Sequence, residues 1–187
     1  MRTDQIVSTN AAEEQELLRR IKLDKQSFLV LYNQHFTKIY NYVFYRTFNQ
    51  ADAEELTSQT FLSALENIER FEYRNIPLAV WLYKIAANVV ADYYRRKGDT
   101  VEWEEAENGQ VNALSPETVC LHNSEKEQLF QLLQTLPQMQ QQALILRYRQ
   151  ELSYQEISEV MEKTEGSIKQ LLHRGLKNLR ERMAGHE

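Results

Sequence analysis

The chain has 187 residues, enough for one medium domain or two small ones. A single Cys excludes an intrachain disulfide framework, and five Gly, three Pro and long runs at helical spacing point to an all-α fold. The net charge of −5 argues against a protein that merely coats DNA, no apolar run reaches the roughly 20 residues that span a bilayer, and the N-terminus lacks a signal-peptide pattern, so a soluble cytoplasmic protein is expected.

Residues 1–12 are polar and aperiodic and are expected to be disordered. A short helix over 13–21 puts Leu17, Leu18 and Ile21 inward, and Lys22-Leu23-Asp24 reads as a turn. A long helix over 27–48 spaces Phe28, Leu31, Tyr32, Phe36, Ile39, Tyr40, Val43 and Phe44 three and four apart, a pattern that core packing explains. Asn49-Gln50 interrupts it, and Asp52, Glu54 and Glu55 give the next helix an acidic start that suits its dipole. That helix is expected to reach about Arg70, with Leu56, Phe61, Leu65 and Ile68 inward and Glu55, Ser58, Gln59 and Ser63 outward. Residues 71–77 form a loop ending in Pro77, which suits a helix start.

The helix over 78–97 buries Leu82, Ile85, Ala86, Val89 and Tyr93, with Tyr83, Lys84, Asn88, Asp92, Arg95 and Arg96 elsewhere on its surface. Gly98 ends it. Residues 99–123 are acidic and aperiodic, too long for a loop within one compact domain, and read as a linker between a domain at 13–98 and another at 124–187. The second unit opens with Leu129, Leu132, Leu133 and Leu136 on one apolar face; Pro137 then starts a helix carrying Ala143, Leu144, Leu146 and Tyr148.

The stretch 152–182 reads as two helices around a tight break. Ser153 with Glu156 makes a capping box, and Ile157, Val160 and Met161 form one apolar face. Glu162 and Lys163 make the break, and Thr164 caps the second helix, whose inward side carries Ile168, Leu171, Leu172, Leu176, Leu179 and Met183. Its other face shows Ser167, Lys169, Gln170, His173, Arg174 and Lys177, the plan of a helix-turn-helix entering a DNA major groove. The charge is patterned to match. Residues 81–97 carry four cations against Asp92, and 163–182 carry six against Glu165 and Glu181, whereas 98–127 hold seven Glu and one Asp against Lys126. Two basic islands separated by an acidic stretch suggest two nucleic-acid contacts joined by a segment that avoids phosphates.

Four segments carry a resemblance to the extracytoplasmic-function (ECF) sigma factors, small specificity subunits of bacterial RNA polymerase. FLVLYNQHFTKIYNYVFY from Phe28 resembles the opening helix of the family's second conserved region. DAEELTSQTFLSAL at 52–65 resembles the segment that docks on the β′ clamp helices of the polymerase, WLYKIAANVVADYYRRK at 81–97 the helix that melts and reads the minus-ten element, and 136–182 the fourth region, which reads the minus-thirty-five element. The resemblance covers 13–97 and 125–183.

It implies a dissociable subunit whose partners are core RNA polymerase (the β′ clamp helices and the β flap), promoter DNA and an anti-sigma factor. It implies a base-capturing pocket at Tyr73, Arg74, Asn75 and Ile76, with Trp81, Lys84, Asn88, Arg95, Arg96 and Lys97 holding the strand. It makes Asp52, Glu55, Ser58 and Gln59 the polymerase-facing candidates. In the helix-turn-helix, Gly166, Ser167, Lys169, Gln170 and His173 are candidates for base edges, and Arg174 and Lys177 for phosphates.

The chain departs from the family pattern in places. Ser58-Gln59 stands where a Gln-Glu pair is usual, Ala87 where a basic residue is common, and Glu151 and Glu162 where turns usually carry glycine. Four His without spaced partners, Cys120 alone, and no glycine-rich phosphate loop or nucleophile motif leave no metal, cofactor or enzymatic site to assign. Two other readings stay open at this point: a DNA-binding regulator that works without polymerase, and a sigma-like interaction protein that does not initiate. The acidic linker is read either as a nucleic-acid mimic in the polymerase RNA path or as a soluble tether.

Overall fold

The computed structural model describes residues 3–73, 76–97 and 124–184, with side chains at 11–73, 76–97 and 129–184. It is all-α in two helical regions, and no strand occurs among the described residues. The first region holds α1 (Thr3–Leu23), a 3-10 turn (Lys25–Ser27), α2 (Phe28–Thr47), α3 (Gln50–Asn67) and α4 (Leu78–Arg96). The second holds α5 (Ser124–Gln134), α6 (Gln138–Leu144), a π-helical stretch (Ile145–Arg149), α7 (Tyr154–Met161) and α8 (Glu165–Ala184).

Local chemistry explains most of these boundaries. The Asn49 side chain accepts from Asp52 N at 3.0 Å and starts α3, and Pro77 precedes α4 where its missing N–H costs nothing. The Ser153 and Glu156 capping box forms as expected, at 3.2 and 2.7 Å. Thr164 Oγ1 accepts from Ser167 N at 3.2 Å and caps α8. Phe48, Glu151 and Glu162 take left-handed φ values of 53°, 59° and 53°, so both turns that usually carry glycine in the family keep the glycine backbone here with a glutamate on it.

The first region closes around Leu18, Ile21, Leu31, Ile39, Val43, Leu56, Phe61, Leu82, Ala86 and Val90. The second closes around Leu136, Ala143, Leu144, Leu146, Ile157, Val160, Ile168 and Leu172, each large side chain contributing about 1.5–3 kcal/mol by leaving water. Gly175 lets α8 lie directly on α6, because a Cβ there would stand 2.9 Å from Leu144 Cδ1.

Several expectations need revision. α1 begins at Thr3, well before Glu13, so a helix occupies most of the 1–12 segment expected to be disordered. α3 ends at Asn67, giving way to a turn before Arg70. Tyr148 is 61% exposed, because the π-helical stretch adds a residue to the turn and rotates it off the inward face. Leu129 is exposed and Phe130 buried, and Met183 lies outside the core near the end of α8. Tyr83, expected on the surface of its helix, is 2% exposed, since α7 packs on α4 and covers it. The acidic segment 99–123 and Gly98 lie outside the described residues.

The two regions touch each other. Phe130 of α5 sits among Phe44, Tyr45 and Phe48, with centroids 5.8, 5.8 and 4.6 Å away. Tyr83 meets Tyr42 edge-on at 5.5 Å and donates to Gln150 Oε1 at 2.8 Å.

Candidate nucleic-acid interface

α8 presents the face that the sequence assigns to DNA. Ile168, Leu172 and Leu179 turn into the core, which leaves Gly166, Lys169, Gln170, His173 and Lys177 exposed on the far side. Ser167 is half-buried beside Thr164 Oγ1 at 3.0 Å, and Arg174 is half-buried with an amino group 3.5 Å from Gln170 Oε1. The N-terminal half of α8 therefore offers an amide, an ammonium and an imidazole on one surface, the donor and acceptor types that read base edges.

Spacing alone does not show two further groups beside this face. The Tyr154 ring at the start of α7 has Lys169 Nζ 5.3 Å and the Arg147 guanidinium 4.9 Å from its centroid. The ring thus gathers two cations from different elements, adding positive charge next to the recognition face. At the far end of α8, Arg182 donates to Thr135 O at 2.6 Å and Asn178 to Gln140 Oε1 at 2.8 Å, which fixes the helix on its scaffold.

On α4, Trp81, Lys84, Asn88 and Arg95 fall within one stripe of the helix, because their spacings are close to whole turns. Lys84 Nζ lies 2.7 Å from Glu162 Oε1 of the helix-turn-helix turn, and the ammonium holds the Glu162 carboxyl below its ordinary range. Glu162 is largely in water and Lys84 only half-buried, so the pair contributes little to stability, about 0–1 kcal/mol. Asn88 is exposed, and Arg95 pairs with Asp92 at 2.8 Å. Arg96 lines a polar cleft of about 270 Å³ with Glu55, Gln59, Ser63, Asp92 and Tyr93. Lys97 Nζ stands 4.8 Å over the Tyr93 ring and 3.9 Å from Asp52.

The loop before α4 is braced from the N-terminal helix. Glu14 Oε2 accepts from Leu78 N at 3.2 Å and Lys22 Nζ donates to Phe71 O at 2.7 Å, while Phe71 packs on Trp81 at 4.6 Å. Burial raises the Glu14 carboxyl above its ordinary value, against the bonds from Leu78 and Tyr73 that lower it. Burial likewise raises the Tyr73 phenol, and Glu14 adds to the shift. Tyr73 and Ile76 are half-buried against the core, and Arg74 and Asn75 lie outside the described residues. No periodicity reveals Glu14 or Lys22, because their partners are 64 and 49 residues away.

The docking candidates on α3 divide in two. Glu55 is exposed, accepting from Gln59 Nε2 at 2.9 Å, and Ser58 spends its hydroxyl on Glu54 O at 3.0 Å. Asp52 is not simply outward: its carboxylate accepts the Tyr93 hydroxyl at 2.6 Å, so α3 and α4 share it. No cluster of His, Cys, Asp or Glu suited to a metal ion occurs among the described residues, and no helix there is long and apolar enough to cross a membrane.

The described chain is thus two connected helical regions, each carrying a helix with Lys and Arg on an outer face. The family profile for Sigma-70 region 2 matches residues 31–100 and that for Sigma-70 region 4 matches 126–179. The chain is 35% identical over 174 residues to the ECF RNA polymerase sigma factor BldN of Streptomyces coelicolor, covering 91% of this chain and 66% of that protein. It is 33% identical over 159 residues to the RNA polymerase sigma factor YlaC of Bacillus subtilis, covering 82% and 90%. Two solved structures share the fold: CnrH in complex with the cytosolic domain of CnrY (TM-score 0.71, 15% identity, 93% of this chain and 99% of that one), and RpoE with the anti-sigma factor NepR from Bartonella quintana (TM-score 0.68, 19% identity, 83% and 96%). The chain belongs to the sigma-70 family of RNA polymerase sigma factors, in its extracytoplasmic-function group. These are promoter-specific transcription initiation factors, not enzymes.

Proposed function

We propose that this chain binds core RNA polymerase and directs it to promoters by reading the minus-thirty-five element with α8 and the minus-ten element with α4 and the loop before it. The observation that carries this reading is the exposed Lys169, Gln170 and His173 face of α8 in a chain whose other basic stripe, Lys84 to Lys97, lies on a different region. Gly166, Ser167, Lys169, Gln170 and His173 approach base edges, while Arg174 and Lys177 bind phosphates. Asn88, Arg95, Arg96 and Lys97 hold the opened strand, and Tyr73, Arg74, Asn75 and Ile76 capture an unstacked base.

Asp52, Glu55, Ser58 and Gln59 face the polymerase clamp helices, and Asp52 also accepts the Tyr93 hydroxyl. The acidic 99–123 segment joins the two domains, 13–98 and 124–187, and catalysis belongs to the polymerase. The chain acts in the cytoplasm, where polymerase and promoter meet. An anti-sigma factor is proposed as a third partner, of the kind that RpoE is seen with.

Run-off transcription with purified core polymerase on a promoter library is the test. Selective transcripts that require both chain and polymerase support the reading. Tight duplex binding with no transcription would favour a polymerase-independent regulator. Polymerase binding with no transcript would favour a non-initiating interaction protein.

A further inference from the structure

Pro77 leaves α4 without a cap of its own. It stands at the N-cap position and its side chain carries no acceptor, so the buried Leu78 N–H that follows needs a partner from elsewhere. The partner is Glu14 of α1, whose Oε2 accepts from Leu78 N at 3.2 Å across 64 residues of chain. A carboxylate suits this place doubly, because it meets the positive end of the α4 dipole as well as the free donor. The same half-buried carboxylate takes the Tyr73 hydroxyl. One side chain of α1 therefore ties the chain on both sides of residues 74 and 75.

Two further ties hold the start of the loop. Lys22 Nζ, about 12 Å further along α1, donates to Phe71 O at 2.7 Å, and the Phe71 ring rests on Trp81 at 4.6 Å. Lys25 Nζ, in the 3-10 turn, lies 3.1 Å from Glu69 Oε1. These ties add little to the core. α1 already buries Leu18 and Ile21, whereas Lys22, Lys25 and Glu69 are exposed, where polar contacts contribute weakly to stability. Their effect is to remove freedom from one stretch of backbone. The Sigma-70 region 2 profile starts at residue 31, so Glu14, Lys22 and Lys25 all lie outside the stretch that carries the family match.

We propose that α1 is a positioning element for promoter opening, in which Glu14 and Lys22 hold both ends of the 71–77 loop so that it meets an unstacked base already ordered. The inference rests on the reading that this loop captures such a base. A loop fixed beforehand loses none of the capture energy to its own ordering, and fixing one residue's backbone changes an equilibrium by about 5- to 30-fold. Glu14 is a positioning residue: it acts through Leu78 and Tyr73.

The test uses holoenzyme assembled from core polymerase and the full chain, on forked minus-ten templates with an abasic site placed at each position in turn. The captured position is the one where losing the base weakens the unaltered holoenzyme most. Glu14→Ala is expected to weaken binding to the intact fork by about 5- to 30-fold. The fork that is abasic at the captured position gives the loop nothing to hold, and is expected to be bound as before. A variant that is merely less folded would lose the same factor on both forks. Glu14→Gln keeps an acceptor for Leu78 N and is expected to recover most of the binding. Lys22→Met is expected to act in the same direction as Glu14→Ala to a smaller extent, and Arg19→Ala, which removes only an exposed pair with Glu16, to change neither fork. If Glu14→Ala fails to assemble, Lys22→Met decides, since its side chain lies in water. Equal losses on both forks, or an undiminished preference for the intact fork, would overturn the positioning role and leave the loop as the capturing element. An unaltered holoenzyme that binds all forks alike would overturn both the capture reading and this inference.

Discussion

Tyr93 donates its hydroxyl to the Asp52 carboxylate at 2.6 Å, joining the helix proposed to meet polymerase to the helix proposed to hold the promoter strand. Removing that bond with Tyr93→Phe should cost about 1 kcal/mol, and Asp52→Ala about as much, since the phenol keeps the bond it accepts from Lys97 Nζ. Urea titration of both variants gives the structural loss. Core-polymerase affinity should fall for Asp52→Ala and stay near normal for Tyr93→Phe. Equal losses of affinity would mean that Asp52 acts only through the bond.

Lys169→Ala and Gln170→Ala should each change upstream-element preference by about 1–3 kcal/mol per lost base contact, read from a library randomised at the minus-thirty-five element. Lys177→Ala should instead weaken all sequences evenly and lower the salt slope of binding by about one. Tyr154→Leu, which removes the ring between Lys169 and Arg147, should reduce selectivity less than Lys169→Ala does.

Gly175→Ala sets two effects against each other. Alanine gains roughly 1 kcal/mol in helix propensity, but its Cβ would press on Leu144, which is itself buried, and overpacking of this kind costs about 1–3 kcal/mol. A net destabilisation of about 1 kcal/mol is expected from thermal melts. Glu151→Gly should do the opposite, stabilising by about 1 kcal/mol at a φ of 59°.

His35 should make the fold sensitive to mild acid. Burial, and then the Lys38 charge, hold its imidazole below the ordinary 6.5. A base depressed in the folded state binds its proton more readily when unfolded, so stability is lost as pH falls from about 6.5 to the folded value, and levels off below it. His35→Gln should flatten that slope in urea titrations between about pH 7.5 and about pH 5. An unchanged slope would place the titrating group elsewhere.

Local rules reach the helices and their ends because those rest on neighbours in the chain. Ser153 and Glu156, Thr164, Asn49 and Pro77 each act within a few residues, so the capping box, the helix-turn-helix and the start of α4 were legible without a structure. The exposed polar face of α8 was legible for the same reason, since helical spacing alone separates Ile168 and Leu172 from Lys169 and Gln170. The π-helical turn was not, because 3.6-residue spacing cannot announce the added residue that turns Tyr148 outward.

The sequence by itself determined an all-α chain with two basic helices and, through its motifs, a sigma factor. Only the tertiary structure decided which side chains those helices share. Asp52 belongs to Tyr93, Glu14 and Lys22 belong to the loop before α4, and Arg46 belongs to Gln138, 92 residues away. Periodicity reports which face of a helix avoids water. It carries no record of which distant polar group will satisfy a donor once the helices pack, and in this chain those pairings join α3 to α4, α1 to the loop before α4, and α2 to α6.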